Sequence, residues 1–488
     1  MNIKAISSNV GKALLVNALF MLVSIIVSIS DGMDEAFAPL AVSFIITSIL
    51  GAFPLIFVRH GYENSVKDGY ITIVVAWLMS FIVGMLPYVL YGGEFTLVNA
   101  WFESVSGYTT TGSTILTDIE SLPRSLLFWR SSTHFIGGLG VVVFLLLIMP
   151  GGSSFKFRLS DLEVSSLSRY GYRYRRTNVP RIMLSVYVGL TLMETLLLML
   201  AGMSFFDAVN HSFSTMATGG FSTKNTSIMH FDSPVIDIII IVFMILASMH
   251  FGVIYAILIK KSLAPIKKSV TVYYLNVILA LSLSVTFILM LQGGYSSFGK
   301  ALLDSVFQVV SFISTTGFGN ADNALWPMFA NIFLLFAAFH CGCSGSTTGG
   351  IKADRMLMIF KEIWNEFKRR LHPSSVFCTK VDGHTVNNEH ISAVFLYFVA
   401  YVFIFFISFM AVLMSGTEIS EAFSGTLASL GNVGPGTGVL GTMGNYASQP
   451  VFAKIIYTVV MFLGRLEIFP VLAVLHLVLN FRKEVTRF

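Results

Sequence analysis

Four short stretches decide how this chain is read: Thr110-Thr111-Gly112-Ser113-Thr114, Ala217-Thr218-Gly219-Gly220-Phe221, Thr315-Thr316-Gly317-Phe318-Gly319 and Asn432-Val433-Gly434-Pro435-Gly436. Their aligned glycines, 112, 219, 317 and 434, recur roughly every hundred residues. Each stretch ends a moderately apolar segment: 96–110, 204–217, 301–315 and 419–432. A helix needs about 20 apolar residues to cross a bilayer, so these segments are too short to span and too apolar for free loops. Re-entrant helices fit that length. One Gly/Thr run alone reads as a tight turn. Four in matched positions predict a unit of span, short re-entrant helix, Gly loop and span, repeated four times.

The composition demands a membrane. Of 488 residues, 55% are hydrophobic and 12% charged, and mean hydropathy is +0.77. Soluble domains are about 25% charged. A soluble enzyme, a disordered scaffold and a secreted disulfide domain are excluded. The net charge is only +5, with no basic block among exposed aromatics, so nucleic-acid binding is excluded as the main role. Cys341, Cys343 and Cys378 make no disulfide framework.

Ten runs have spanning length, near 13–30, 38–58, 70–91, 127–149, 180–201, 235–259, 271–291, 325–359, 391–414 and 451–480. The first lacks a small-residue cleavage site and reads as a retained helix. Alternate connections hold 25 of the 31 basic residues: Lys4 and Lys12, Arg59 and Lys67, and those within 156–181, 260–268, 352–380 and 482–487. The positive-inside rule makes that side cytoplasmic, with both termini inside and all four short segments outside. Acidic residues lean outward, Glu94 and Glu103 among them. Summed, they raise the cation concentration at an outer mouth; singly, they read as solvated loop residues. The expected division is 1–68 for two N-terminal spans, then 69–155, 156–268, 269–388 and 389–488, with pore loops at 96–114, 204–223, 301–320 and 419–438.

Four parallel units can close round one axis and bring their Gly loops together on it. Glycine adopts backbone angles closed to other residues and has no side chain to block a narrow axis. A ring of backbone carbonyls can replace the hydration shell of a monovalent cation. Each short helix also aims its negative C-terminal end at the centre.

Below that point, the 325–359 span contains Cys341-Gly342-Cys343-Ser344-Gly345-Ser346-Thr347-Thr348-Gly349-Gly350. So many small polar residues and glycines do not hold a straight helix. Two arrangements fit: a flexible polar plug lining water, or a close-packed small-residue interface. Arg465 sits within the 451–480 run, where an unpaired Arg costs at least about 2.5–3.5 kcal/mol. It either donates to carbonyls of the 342–350 loop or stands as a positive barrier. Glu467, roughly 200° round a continuous helix, is not its partner there. Glu194 is intramembrane, neutral or hydrogen-bonded to Thr191 or Thr195. Cys341 and Cys343 lack a ligand set for a metal, and His211 reads as a packing residue. No Ser/His/Asp or paired-carboxylate pattern indicates catalysis, and no G-x-G-x-x-G nucleotide fingerprint is present. The basic stretches 156–181 and 361–390 suit lipid headgroups or a docking surface for a soluble regulator.

Taken with Gly107-Tyr108-Thr109 before the first loop, Gly137-Gly138-Leu139-Gly140, Gly342 to Lys352 and Gly464-Arg465-Leu466-Glu467-Ile468, these residues resemble the bacterial Trk/Ktr potassium uptake family, HKT transporters being its plant relatives. Within the family they look like the larger, TrkH-type membrane subunit, which adds two N-terminal spans. The resemblance implies an all-α polytopic fold of four membrane–pore-loop–membrane repeats round a pseudo-fourfold pore. It implies potassium bound at Thr110, Thr111, Gly112, Ala217, Thr218, Gly219, Thr315, Thr316, Gly317, Asn432, Val433 and Gly434. It places a gate at Gly345, Ser346, Thr347, Gly349, Gly350 and Arg465, within a gating loop at 341–350. In related plant transporters a Ser at the first filter glycine goes with sodium transport, and Gly112 resembles the potassium pattern. The resemblance also implies a homodimer, a TrkA-like cytosolic nucleotide-binding subunit, the bacterial inner membrane, and no cofactor beyond the transported K+. An alternating-access cation symporter is the alternative, although carriers usually show inverted repeats and these units enter from one side. An intramembrane enzyme built on Cys341 or His340 lacks a base.

Overall fold

The computed structural model describes residues 2–58, 66–148, 179–258, 261–292 and 294–485. The basic stretch 156–178 and residues 59 and 486–488 lie outside the described residues. Among those described are 17 α-helices and one two-stranded hairpin, Lys380–Val381 with His384–Thr385.

Two helices open the chain, α1 (Ile3–Ser30) and α2 (Phe37–Phe57). They pack at a close approach of Gly11 and Gly51; a Cβ on Gly11 would lie 2.6 Å from the Gly51 carbonyl oxygen. Small residues at such crossings let backbones meet where lipid provides no hydrophobic drive. The outward faces carry exposed Leu19, Ile26, Ile45, Phe53, Leu192 and Phe403, whereas Asn17, Ser24, Ser43 and Thr47 are buried. Apolar surface outside and polar groups inside is the arrangement a lipid solvent selects.

Next come α3 (Val66–Tyr91), α4 (Leu97–Tyr108) and α5 (Arg124–Ile148), then α6 (Val179–Leu200), α7 (Phe205–Ala217), α8 (Pro234–Ser248) and α9 (Phe251–Leu258). After these follow α10 (Ser269–Leu291), α11 (Phe298–Ile313), α12 (Met328–Phe339) and α13 (Ala353–Leu371). The chain ends with α14 (Asn388–Leu413), α15 (Ile419–Gly431), α16 (Val451–Arg465) and α17 (Phe469–Val485). The short helices α4, α7, α11 and α15 fall within three residues of the expected segments. Each packs on the helix before it: α3 on α4, α6 on α7, α10 on α11, α14 on α15. The helix after each loop reaches onward, α5 to α7, α8 to α11 and α12 to α15, and α16 returns to α4.

Among the described residues six helices are long and apolar enough to cross a membrane, α1, α2, α3, α6, α10 and α14. Hydropathy predicts continuous runs, and here the structure differs. Run 235–259 breaks into α8 and α9, bent by 113°, and run 451–480 into α16 and α17, bent by 105°. The first break has a tertiary cause. The Ser248 carbonyl accepts from Cys343 N–H (2.8 Å), and Phe251 N–H donates to the Gly345 carbonyl (3.1 Å), so residues 340–352 take hydrogen bonds that a continuous helix would use. At the second break Glu467 and Ile468 have φ of 57° and 61°. Gly140 kinks α5 (φ 66°), and residues 340–352 separate α12 from α13, as their composition anticipates.

The N-terminal pair is tied to the first short helix by polar atoms. Tyr108 donates its hydroxyl hydrogen to Asn17 Oδ1 at 2.6 Å, and Asn17 Nδ2 donates to Ser80 Oγ at 3.2 Å. Asn17→Leu leaves the buried Tyr108 hydroxyl without an acceptor, which costs about 1–3 kcal/mol. Its thermal midpoint in detergent is expected to fall, and adding Tyr108→Phe to Asn17→Leu to recover most of the loss. A double variant no more stable than the single one contradicts this account.

Candidate conduction site

The four short helices end in the same way. Thr111 N–H donates to the Ser106 carbonyl (2.9 Å), Gly219 to Ser214 (2.8 Å), Thr316 to Ser311 (2.9 Å) and Val433 to Ala428 (2.8 Å). One residue earlier, Thr110 donates to Gly107, Thr218 to Thr215, Thr315 to Phe312 and Asn432 to Ser429, at 3.0–3.2 Å. This nested pair is the Schellman motif, which requires a left-handed residue at the turn. Those residues are Thr110 (φ 52°), Thr218 (57°), Thr315 (57°) and Asn432 (55°). A left-handed backbone costs an L-residue roughly 1–2 kcal/mol, and such strain gathers where function requires it.

The hydrogen bonds also set the register. Two positions after each left-handed residue stands a glycine of positive φ: Gly112 (78°), Gly220 (84°), Gly317 (79°) and Gly434 (96°). The second loop therefore aligns as Thr218-Gly219-Gly220, one residue on from the sequence alignment. Ala217 is the last helical residue of α7, and Gly220 takes the place expected of Gly219. Two adjacent glycines leave the sequence ambiguous; matching Thr218 to Thr110 and Thr315 resolves it.

At these glycines the loops touch in a closed cycle. A Cβ on Gly112 would collide with the Gly219 carbonyl oxygen, one on Gly220 with that of Thr316, one on Gly317 with that of Val433, and one on Gly434 with that of Thr111. Residues of all four loops, Gly112, Gly220, Gly317 and Gly434 among them, line one cavity of about 60 Å³. Of the expected filter residues, Thr111, Gly112, Gly219, Thr316, Gly317, Val433 and Gly434 take part in these contacts, Thr110, Thr218, Thr315 and Asn432 are the turn residues before them, and Ala217 ends α7.

Residues 340–352 lie against the ends of the short helices. Gly349 N–H donates to Thr315 Oγ1 (3.2 Å), Thr347 Oγ1 donates to the Met216 carbonyl (3.1 Å), and a Cβ on Gly349 would meet Asn432 Oδ1 at 2.6 Å. Arg465 donates from Nη1 to the Thr347 carbonyl and from Nη2 to the Gly137 carbonyl, both at 2.6 Å. It ends α16 at the break, so the helical-phase argument that separates it from Glu467 does not apply. Glu467 is instead ion-paired with Arg355, whose guanidinium lies 4.0 Å from the Tyr397 ring centroid. A second cavity of about 80 Å³ is lined by Gly140, Ser346, Thr347, Lys352 and Arg465 among others.

Other candidates resolve differently. Glu194 is fully buried, but Thr191 and Thr195 give their hydroxyl hydrogens to the carbonyls of Tyr187 and Thr191. His211 supports the second loop, with Nδ1 2.7 Å from the Asp207 carbonyl oxygen and Nε2 2.9 Å from Ser222 Oγ. Glu103, which the sequence groups with the outward acidic residues, forms a buried pair with Arg130 at 2.7 Å. Cys341 and Cys343 are free and buried, and no metal-binding group of three His, Cys, Asp or Glu exists among the described residues.

A helical bundle with apolar outward faces, whose half-length helices bring four Gly loops into contact, has the build of a multi-pass membrane protein. The chain belongs to the TrkH family: the family model described as TrkH, cation transport protein, matches residues 39–481. The Trk system potassium uptake protein TrkH of Halomonas elongata is 35% identical over 477 residues, 96% of this chain and 98% of that protein. That of Salmonella typhimurium is 36% identical over 417 residues, covering 85% and 86%. The crystal structure of the potassium transporter TrkH from Vibrio parahaemolyticus matches with a TM-score of 0.86 at 31% identity, over 97% of this chain and 98% of that one. The chain is a multi-pass membrane protein of a transporter family.

Gly220→Ala puts a methyl group against the Thr316 carbonyl at a left-handed φ. A Cβ on Gly189 meets nothing within 4 Å. Gly220→Ala is expected to lose at least about 2 kcal/mol of stability, as a core overpacked against backbone does, and Gly189→Ala to melt at or above the wild-type temperature. Equal midpoints for the two in detergent contradict the register of the second loop.

Proposed function

We propose that this chain is a potassium uptake permease of a bacterial inner membrane. In this reading the units 69–155, 156–268, 269–388 and 389–488 surround one pore behind the two spans of 1–68, with both termini cytoplasmic. The carbonyls of Thr110-Thr111-Gly112, Thr218-Gly219-Gly220, Thr315-Thr316-Gly317 and Asn432-Val433-Gly434 replace the water around a potassium ion. The closed cycle of glycine-to-carbonyl contacts supports this reading, because it gathers main-chain oxygen from all four loops at one place. The potassium uptake named for the relatives agrees with it.

Gly345, Ser346, Thr347, Gly349 and Gly350 form the gate, held against the ring by Arg465. Its two charge-assisted hydrogen bonds stabilise the closed position by roughly 1.5–3 kcal/mol each. Opening is driven by a TrkA-like cytosolic nucleotide-binding subunit on the basic face, and two copies of the chain form a homodimer with a pore in each. Inward movement of one K+ gains about 2.3 kcal/mol per 100 mV, so the membrane potential alone drives uptake. The broken helices α8–α9 and α16–α17 are a feature of alternating-access carriers, which makes a cation symporter the second reading.

Expression in a potassium-uptake-deficient bacterium at low external potassium is expected to restore growth, and Gly112→Ser to abolish or relax that potassium-selective rescue. In lipid bilayers unitary currents are expected; slow saturable turnover without them favours the symporter. Arg465→Ala is expected to raise cation flux severalfold, and flux unchanged or lower at equal surface expression counts against the gate.

A further inference from the structure

One junction in the loop cycle is built unlike the others. Arg130, on α5, has its side chain 1% exposed, and Glu103, on α4, has its side chain 0% exposed. Arg130 Nη2 lies 2.7 Å and Nε 2.8 Å from Glu103 Oε1. The same carboxylate accepts from Thr114 Oγ1 at 3.0 and 3.1 Å and from Ile115 N–H at 3.1 Å, two residues that follow Gly112. Arg130 Nη1 donates to the Ser222 carbonyl at 3.3 Å, and its guanidinium lies 4.1 Å from the Phe221 ring centroid, residues that follow Gly220. Phe221 also stacks on His134, one helical turn beyond Arg130, with centroids 4.0 Å apart and planes at 18°.

The other three junctions are joined by hydrogen bonds in which at most one partner is charged, as where Asn320 Nδ2 donates to Asp237 Oδ2 (3.2 Å) and Lys454 Nζ to Asn99 Oδ1 (3.0 Å). Ile228 N–H donates to the Gly319 carbonyl (3.0 Å), Asn323 Nδ2 to that of Gly436 (3.3 Å), and Tyr446 N–H to that of Thr114 (2.8 Å). Among the described residues, Glu103–Arg130 is an ion pair within the first unit whose carboxylate holds the first loop and whose guanidinium reaches the second. A buried ion pair adds little net stability, so its use here points to geometry. A guanidinium is a planar fork of five donors, and it fixes several acceptors at set distances where an ammonium does not. Its positive charge beside a cation path is neutralised by the carboxylate that it holds.

We infer that Arg130 is a positioning residue that sets the spacing between the first and second loops, and through it the size of alkali cation that the ring accepts. The inference rests on the conduction reading above. Bi-ionic reversal potentials of the reconstituted full chain measure relative permeabilities from Li+ to Cs+. Arg130→Lys keeps the charge but not the fork. The double variant Glu103→Gln/Arg130→Met leaves no unpaired charge, so it is expected to assemble with a near-normal melting temperature. Both are expected to change the K+ to Na+ permeability ratio by about tenfold, the scale of one lost charge-assisted hydrogen bond. Phe221→Leu, which keeps the ion pair, is expected to shift the ratio in the same direction by less. Arg369→Lys, on the exposed end of α13, is expected to leave it unchanged.

A wild-type permeability series in any correctly folded Arg130 variant overturns the inference. If Arg130→Lys does not fold, the double variant decides, and a wild-type series in Phe221→Leu overturns the proposed coupling of the two loops. Wild-type protein that passes no cation defeats the conduction reading instead, which separates the two failures.

Discussion

A side chain cannot enter the space where Gly112, Gly220, Gly317 and Gly434 each face the next loop, because a carbonyl oxygen of that loop is already there. The rest of the arrangement follows from this exclusion. Carbonyls approach so closely only if each loop leaves its helix at the same angle, and the Schellman turns with their left-handed Thr or Asn provide that angle. The turns end four short helices, whose neighbours pack in the order that closes the circle. Strained residues persist where surrounding contacts over-determine them. Here those contacts come from the adjoining loop as much as from the parent helix.

Much of this is legible in the sequence, for reasons specific to each element. Length and apolarity locate α4, α7, α11 and α15, because a half-length apolar segment has few other uses in a bilayer. The irregular 340–352 segment is visible in its Gly and Ser/Thr content. The break at Met249–His250 is not visible, because its cause lies about a hundred residues away, in the N–H of Cys343 and the carbonyl of Gly345. The register of the second loop is ambiguous for a local reason: Gly219 and Gly220 are alike in sequence and differ only in backbone handedness. Composition puts Arg465 near the right acceptor, Thr347, but its second acceptor, Gly137, belongs to a remote part of the chain that no spacing rule reaches. Glu103 reads as an outward charge in the sequence, since hydropathy does not reveal that it folds inward onto a paired Arg130.

Polar atoms occupy the interior in numbers that water-soluble cores avoid. Thr109, Thr111, Ser311, Ser314 and Thr316 are all fully buried, and each is satisfied locally. Thr109 bonds the Val105 carbonyl and Thr111, Ser311 the Phe318 carbonyl, and Ser314 bonds Thr316. Such networks stiffen a low-dielectric core when their members are paired. They also explain how non-helical backbone survives at membrane depth, since each break lies inside protein and exchanges hydrogen bonds with a neighbouring segment.

Arg465 differs from the other ties in its direction. Each glycine contact joins two adjacent quarters of the ring, whereas Arg465, from the last quarter, holds both of its neighbours at once, the first at Gly137 and the third, opposite the first, at Thr347. A frame braced corner to corner resists shear that edge joints alone permit. Because that brace stands at the elbow between α16 and α17, a pull on the C-terminal helix is delivered to opposite sides of the ring together, and the elbow acts as a lever.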